Sequence, residues 1–132
     1  MPIQLEMVLR LLLAAGLGAA IGWQRERANK PAGLRTHILI CLGAALFTVT
    51  GAFGFVGGDP GRVAAGIVTG VGFLGAGAIL HRQGGIVVGL TTAASIWTVA
   101  AIGMAVGAGQ VLLALVATVI AMIVLLLPHQ IS

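Results

Sequence analysis

Charged residues are scarce in this sequence. They make up 8% of its 132 residues, and residues 83–132 contain no Asp, Glu, Lys or Arg. A soluble domain usually carries about a quarter charged residues, so this composition excludes an ordinary water-facing surface. With 59% hydrophobic residues and a mean hydropathy of +1.14, most of the surface is expected to face the lipid bilayer. The apolar residues also run in long blocks rather than alternating in segments of roughly ten, which argues against a β-barrel. The sequence therefore predicts one all-α transmembrane domain.

Cysteine is scarce as well. The single cysteine, Cys41, lies inside an apolar run, so an internal disulfide is excluded and the thiol is expected to fill buried space. The net charge of +4 does not indicate a nucleic-acid partner, because the basic residues sit beside apolar segments, where Lys and Arg normally set membrane topology. A cleaved signal peptide is not expected, since no basic cluster precedes the first apolar run, apart from Arg10.

Five apolar segments have roughly the length of a membrane-crossing helix, about 20 residues. They cover residues 3–23, 36–56, 62–80, 90–106 and 110–127. The connections after the first and third segments hold five basic residues, Arg25, Arg27, Lys30, Arg35 and Arg82. The opposite side holds two, Arg10 and Arg62. Because cytoplasmic loops carry an excess of Lys and Arg, we predict a polytopic bundle with its N-terminus outside and its C-terminus in the cytoplasm.

The two halves of the chain share a weak repeat. Gly33-Leu34-x-Thr36 recurs as Gly89-Leu90-x-Thr92, and Leu17-Gly18-Ala19 recurs one residue out of register as Leu74-Gly75-Ala76. A true duplication predicts two parallel helical hairpins plus a fifth helix. Chance matching within an Ala-, Gly- and Leu-rich sequence is the alternative.

The third segment is rich in glycine, at Gly66, Gly70, Gly72, Gly75 and Gly77. Lipid supplies no hydrophobic force between helices, so association depends on close contact, which small residues permit. We expect this helix to be the hub of the bundle, and pairing of two copies of the chain through it is a further hypothesis. An ion path lined by exposed backbone is the alternative.

Three blocks of the sequence resemble the MgtC/SapB family of bacterial membrane proteins. The blocks are Arg25-Glu26-Arg27 with Lys30-Pro31-Ala32-Gly33-Leu34-Arg35-Thr36-His37, Asp59-Pro60-x-Arg62-Val63-Ala64 with Gly70-x-Gly72-Phe73-Leu74-Gly75-Ala76-Gly77, and Gly89-Leu90-Thr91-Thr92-Ala93-Ala94-x-Ile96-Trp97. The resemblance implies an inner-membrane protein linked to magnesium homeostasis, with regulatory contact to other membrane machinery, including ATP synthase. Many members carry a soluble C-terminal domain, which is not expected within this chain.

The basic connections are the candidate site. Gly33 and Gly89 each precede a predicted helix whose N-cap we expect to be a threonine, Thr36 or Thr92. Two helix N-termini surrounded by basic residues would attract an anion, such as a lipid phosphate, a nucleotide or an acidic partner segment. The alternative is that the basic residues only set topology. The anion- or partner-binding candidates are Arg25, Glu26, Arg27, Lys30, Arg35, Thr36, His37, Arg82, Thr91 and Thr92.

Asp59 and Arg62 form the candidate motif on the opposite side. Asp followed by Pro at a helix start is a capping pattern, and a cation or partner site is the alternative, with Asp59 as a weak metal candidate. His37 is interpreted as a hydrogen-bonding residue at the membrane interface or as a pH-sensitive switch, and His81 and His129 as interfacial. No pair of histidines has metal-ligand spacing, and no catalytic set of residues is evident. We therefore expect neither a cofactor nor an enzyme.

Three functions remain open at this level. The first is a regulatory membrane protein that contacts partners. The second is a magnesium channel or transporter, which the sequence disfavours because Glu6, Glu26 and Asp59 all lie near span ends while magnesium is usually held by carboxylates. The third is a protein that binds lipid or small anions.

Overall fold

The fold is a bundle of five α-helices. The computed structural model describes residues 2–79, 82–83, 86–87 and 89–128. The helices are α1 (Ile3–Arg27), α2 (Leu34–Phe53), α3 (Pro60–Ile79), α4 (Leu90–Gly107) and α5 (Val111–Leu125). The prediction of an all-α bundle of about five helices is confirmed. One addition was not predicted: between α3 and α4, β1 (Arg82–Gln83) pairs antiparallel with β2 (Ile86–Val87).

Four of the helices, α1 to α4, are long and apolar enough to cross a membrane. The fifth, α5, has 15 residues, which at 1.5 Å per residue gives roughly 22 Å, less than the roughly 30 Å of the hydrocarbon layer. Some helices extend past the predicted spans because backbone hydrogen bonding continues beyond the apolar stretch. Thus α1 continues to Arg27, and α2 already begins at Leu34. The chain is a multi-pass membrane protein.

Contacts between helix ends show how the helices alternate in direction. Arg10, near the start of α1, donates from Nη1 to the carbonyl oxygen of Gly107 at the end of α4, at 2.9 Å. At the opposite end, Gln24 in α1 donates to the carbonyl oxygen of Leu125 at the end of α5, at 3.3 Å. We call these the Arg10 end and the Arg25 end of the bundle. That the Arg25 end faces the cytoplasm stays a prediction.

The centre of the bundle is α4. It packs against all four other helices, and half of its membrane-length window is buried. Its buried apolar residues join those of α1, α2 and α5 in one cluster, which includes Ala14, Ile21, Cys41, Ala45, Val99, Ile102, Val106 and Ala114. Because so much of α4 is enclosed, a buried polar residue on it must find its partners within the protein.

Glycines on α1 and α4 bring the central helices into backbone contact. A Cβ at Gly103 of α4 would overlap the carbonyl oxygen of Cys41 in α2, and one at Gly107 would lie 2.7 Å from the carbonyl oxygen of Ala45. On α1, a Cβ at Gly22 would lie 2.8 Å from the Cα of Leu34 in α2. Such close crossings leave no room for a side chain.

The expectation that the glycine-rich third helix is the hub was wrong. Only two residues of α3 are buried, Ile67 and Gly75. A Cβ at Gly75 would make an ordinary contact with the Cβ of Ala93 in α4, at 3.7 Å. At the other four glycines, Gly66, Gly70, Gly72 and Gly77, a Cβ would meet no described atom within 4 Å. Glycine content does not reveal which face makes a close contact, and at these four positions no described neighbour packs within contact distance of a Cβ.

The weak repeat has equivalents in the structure. Both α2 and α4 begin at the leucine that follows the repeated glycine, Gly33 or Gly89. Gly18 of α1 packs against His37 of α2, and Gly75 of α3, its counterpart in the repeat, packs against Ala93 of α4. A duplication of the hairpin stays a prediction, but these paired positions are what it would produce.

Candidate functional site

A buried arginine lies at the Arg25 end of the bundle. Arg25, in the last turn of α1, is 1% exposed, and its Nη2 donates to the hydroxyl oxygen of Thr92 at 2.8 Å. Thr92 is itself buried, as the third residue of α4. The Nε of Arg25 is also buried and finds no hydrogen-bond partner in the described part of the chain. A guanidinium removed from water in this way is costly unless a negative group compensates its charge.

His37 extends the buried polar network from α2 to α4. Its side chain is 0% exposed. Nδ1 lies 2.9 Å from the carbonyl oxygen of Gly33, and Nε2 lies 2.9 Å from the hydroxyl of Ser95. A carbonyl only accepts, so the geometry assigns the proton of a neutral imidazole to Nδ1 and leaves Nε2 to accept from Ser95. The Ser95 hydroxyl is also placed to donate to the carbonyl oxygen of Thr92, at 2.8 Å, so its one proton bonds either that carbonyl or Nε2 of neutral His37 at a given time.

This network ties three helices together at one end. Arg25 belongs to α1, His37 to α2, and Thr92 and Ser95 to α4. The groups meet because Gly22 lets α1 and α2 cross closely, since a Cβ there would lie 2.9 Å from the Cβ of His37. The network therefore links the ends of α1, α2 and α4 through buried hydrogen bonds.

The sequence identified three members of the network but not their arrangement. Arg25, His37 and Thr92 were among the predicted candidates, and the structure brings them together. Ser95, which joins His37 to α4, was missed. The available signal was its spacing: Ser95 lies three residues after Thr92, so the two hydroxyls share one face of an apolar helix.

The expected threonine N-caps were wrong. The N-cap residues are Gly33 for α2 and Gly89 for α4, and as glycines neither has a side chain that could cap its helix. Thr36 and Thr92 each lie inside the first turn. Gly89 takes a φ of +97° and approaches the carbonyl oxygen of Ala78 closely. Only glycine adopts that conformation readily, so the backbone turn, and not a hydroxyl, sets the start of α4.

The other predicted candidates lie outside the network. Glu26 is exposed and accepts from the backbone N–H of Leu34 through Oε1, at 3.2 Å. Arg27 is exposed with its guanidinium carbon 4.9 Å from the ring centroid of Trp23, a cation–π contact of the kind found near membrane interfaces. Arg35 and Thr36 are exposed, and Lys30 and Thr91 are half-buried. His81, His129 and the side chain of Arg82 lie outside the described residues.

At the Arg10 end, Asp59 acts as a helix cap. Its Oδ1 accepts from the backbone N–H of Arg62 at 3.2 Å, and Pro60 is the first residue of α3. The capping interpretation is therefore confirmed. Nearby, Glu6 Oε1 accepts from Arg10 Nη2 at 2.8 Å, which confirms the predicted pairing of these two residues on one helical face.

Among the described residues, no group of three or more His, Cys, Asp or Glu side chains is placed to hold a metal ion. All three acidic residues of the sequence are described, and each lies at a helix end with its own partner. The buried polar groups are instead Arg25, His37, Thr92, Ser95 and Thr118. The site is thus cationic and hydroxyl-rich, a chemistry that suits anions and hydrogen-bonding partners better than divalent cations.

Comparisons with known proteins agree with the sequence motifs. The chain is 50% identical to YhiD of Escherichia coli (strain K12), named as a candidate magnesium transporter, over 96% of this chain and 62% of that protein. It is 49% identical to the protein MgtC of Salmonella typhimurium (strain 14028s), over 86% of this chain and 48% of that protein. A protein of Haemophilus influenzae is 40% identical over 92% of this chain. The chain therefore spans about half to three fifths of the length of these relatives. No solved structure gives a significant match.

The family profile described as the MgtC family matches residues 11–132. This range contains α2 to α5 and most of α1, together with every member of the Arg25 network. The chain belongs to the MgtC family.

Proposed function

We propose that this chain is a regulatory protein of the bacterial inner membrane, linked to magnesium homeostasis, that acts by contacting a membrane partner through its basic surface. That surface consists of Arg27, Lys30 and Arg35 in and beside the connection from α1 to α2. Its N-terminus is then outside and its C-terminus in the cytoplasm, because basic loops stay on the cytoplasmic side. ATP synthase, implied by the family resemblance, is one partner to test.

The observation that carries this proposal is the position of the carboxylates. Magnesium is usually bound through one or two carboxylates while it keeps several waters, and transport sites lie near the middle of the membrane. Glu6 bonds Arg10, Glu26 bonds the start of α2, and Asp59 caps α3. None is left for a site in the bundle interior, where a cation would also meet the buried charge of Arg25. These facts favour regulation over transport by a single chain.

The partner contact is tested by co-purification from cross-linked bacterial membranes. We expect a membrane protein identified by mass spectrometry to be lost on Arg35→Ala. Arg62→Ala is the matched control, since Arg62 is also an exposed arginine but lies at the Arg10 end. An identical set of co-purifying proteins for the native chain and both variants would overturn the proposed surface.

Transport is tested separately by magnesium flux into liposomes that contain the purified protein. We expect no flux above that of empty vesicles. Flux that Asp59→Asn abolishes would instead establish transport, for example through a ring of Asp59 residues in an oligomer, and would overturn the regulatory proposal. The asparagine retains a side-chain oxygen that can cap α3, so loss of flux would report on charge rather than on folding.

A further inference from the structure

The charge of Arg25 has no negative counterpart among the described residues. The sequence contains three acidic side chains, and two of them, Glu6 and Asp59, lie at the Arg10 end. The third, Glu26, is exposed and caps α2. The guanidinium therefore makes its one described hydrogen bond to a neutral hydroxyl, that of Thr92. A buried arginine normally requires a carboxylate or another anion.

Two helix N-termini add positive charge at the same place. Thr92 lies in the first turn of α4, and His37, bonded to Ser95, lies in the first turn of α2. At α2, Glu26 already accepts from the N–H of Leu34, whereas no side-chain cap is found at the start of α4 among the described residues. The N-terminus of a helix is equivalent to roughly half a positive charge, so the start of α4 in particular repels the guanidinium and attracts an anion.

We infer that the Nε–H of Arg25 is the anchor of a binding site for a phosphate group at the start of α4, beside the start of α2. Nε is buried and has no partner among the described residues, and it is a donor suited to oxyanions, since the guanidinium fork matches phosphate geometry. The phosphate group belongs either to a lipid headgroup or to free inorganic phosphate. This site is separate from the exposed basic surface proposed above for a membrane partner.

A cleft beside the network fits the lipid source. It has a volume of about 380 Å³ and lies between α1, α4 and α5, with Thr91, Ser95 and Thr98 on the α4 side and apolar residues of α5 opposite. Ser95 lines this cleft and also bonds His37. Arg25 itself does not line the cleft, so the lipid form of the proposal places the acyl tail in the cleft and the headgroup beyond Ser95, at Arg25.

The test begins with the native chain, purified in detergent. Because the site is closed to solvent, we expect bound phospholipid or phosphate to survive purification, measured by native mass spectrometry and total phosphorus. After delipidation, inorganic phosphate or phosphatidylglycerol should slow thiol labelling of the buried Cys41. Slowing by inorganic phosphate assigns the free ion, and slowing by phosphatidylglycerol alone assigns the headgroup. If the native chain retains no phosphorus and neither probe slows labelling, the inference is overturned.

Two variants at Arg25 and one control locate the site. Arg25→Gln removes the charge of the side chain. It is expected to weaken the retention of bound phosphate or phospholipid about tenfold, as for loss of one charge-assisted hydrogen bond. If this variant does not fold, Arg25→Lys keeps the charge but removes the Nε–H, and should weaken retention in the same direction. Arg35→Gln makes the same charge change at an exposed position and should leave retention within about twofold. Equal losses of bound phosphate in the Arg25 and Arg35 variants would mean that surface charge alone holds the phosphate, and would overturn the proposed site at Arg25.

Discussion

Replacing Gly103 with alanine tests whether backbone contact holds α4 against α2. The new Cβ would overlap the carbonyl oxygen of Cys41 and lie 3.1 Å from the Cβ of Ala44. The obstacle is helix backbone, which cannot turn aside as a flexible side chain can. The two helices must therefore move apart, which loosens the cluster of buried residues around Cys41 and Val99.

The expected cost follows from two opposing effects. Overpacking of a well-packed core costs about 1–3 kcal/mol, and a backbone obstacle places this site near the upper limit. Exchange of glycine for alanine within a helix gains about 0.5–1 kcal/mol. The net loss of stability for Gly103→Ala is therefore about 2 kcal/mol. This corresponds to about a 30-fold increase in the open population, the fraction of molecules in which α2 and α4 are separated. The matched control is Gly70→Ala in α3, where a Cβ meets no described atom and only the gain remains.

The assay uses the one cysteine of the chain. Cys41 is 0% exposed and lies at the contact itself, so a maleimide reaches its thiol only when the helices separate. Under conditions where labelling follows the open population, Gly103→Ala should react about 30-fold faster, and Gly70→Ala no faster than the native chain. If Cys41 reacted at the native rate in Gly103→Ala, or equally fast in both variants, the role of α4 as the packed centre would be refuted.

The remaining predictions concern polar contacts at the two ends of the bundle. Ser95→Ala leaves Nε2 of buried His37 without a partner and should destabilise the chain by about 1–3 kcal/mol, seen as faster Cys41 labelling. Arg10→Met removes the hydrogen bond to the end of α4 and should cost about 1–2 kcal/mol in the same assay. Glu26→Ala removes the side-chain acceptor at the start of α2. It should cost about 0.5–2 kcal/mol and speed amide exchange in the first turn of α2.

Each of these variants has a matched control. Thr98→Ala removes a half-buried hydroxyl from the same helix as Ser95 and should have the smaller effect. Arg62→Met changes an exposed arginine at the Arg10 end and should stay within about 0.5 kcal/mol of the native chain. Glu26→Gln keeps a side-chain oxygen and should retain most of the cap. If a control variant changed Cys41 labelling or amide exchange as much as its test variant, the hydrogen bond under test would make no specific contribution to stability.

Much of the fold was predictable because the bilayer imposes a simple rule. A helix that crosses hydrocarbon needs about 20 apolar residues in a row, and the predicted segments coincide with the five helices apart from a few residues at their ends. The pairing of Glu6 with Arg10 and the capping by Asp59 were also predictable, since both depend on residues within one turn of helix.

Contacts between helices were predicted less well, because composition does not specify which face of a helix meets a neighbour. The glycines of α3 suggested a hub, yet the close crossings occur at Gly22, Gly103 and Gly107 of other helices. The threonine of the repeated motif suggested an N-cap, yet Thr92 lies within α4 and bonds Arg25, 67 residues away in the chain.

The sequence by itself determined that this chain lies in a membrane, where its helices run and to which family it belongs. Each of these depends on local apolar length or on a linear motif. Only the tertiary structure decided that Arg25 and His37 are buried and joined through Thr92 and Ser95. The physical reason is that a polar side chain in a helix bundle must bond whatever the neighbouring helices present, and helix rotation and crossing distance set those partners.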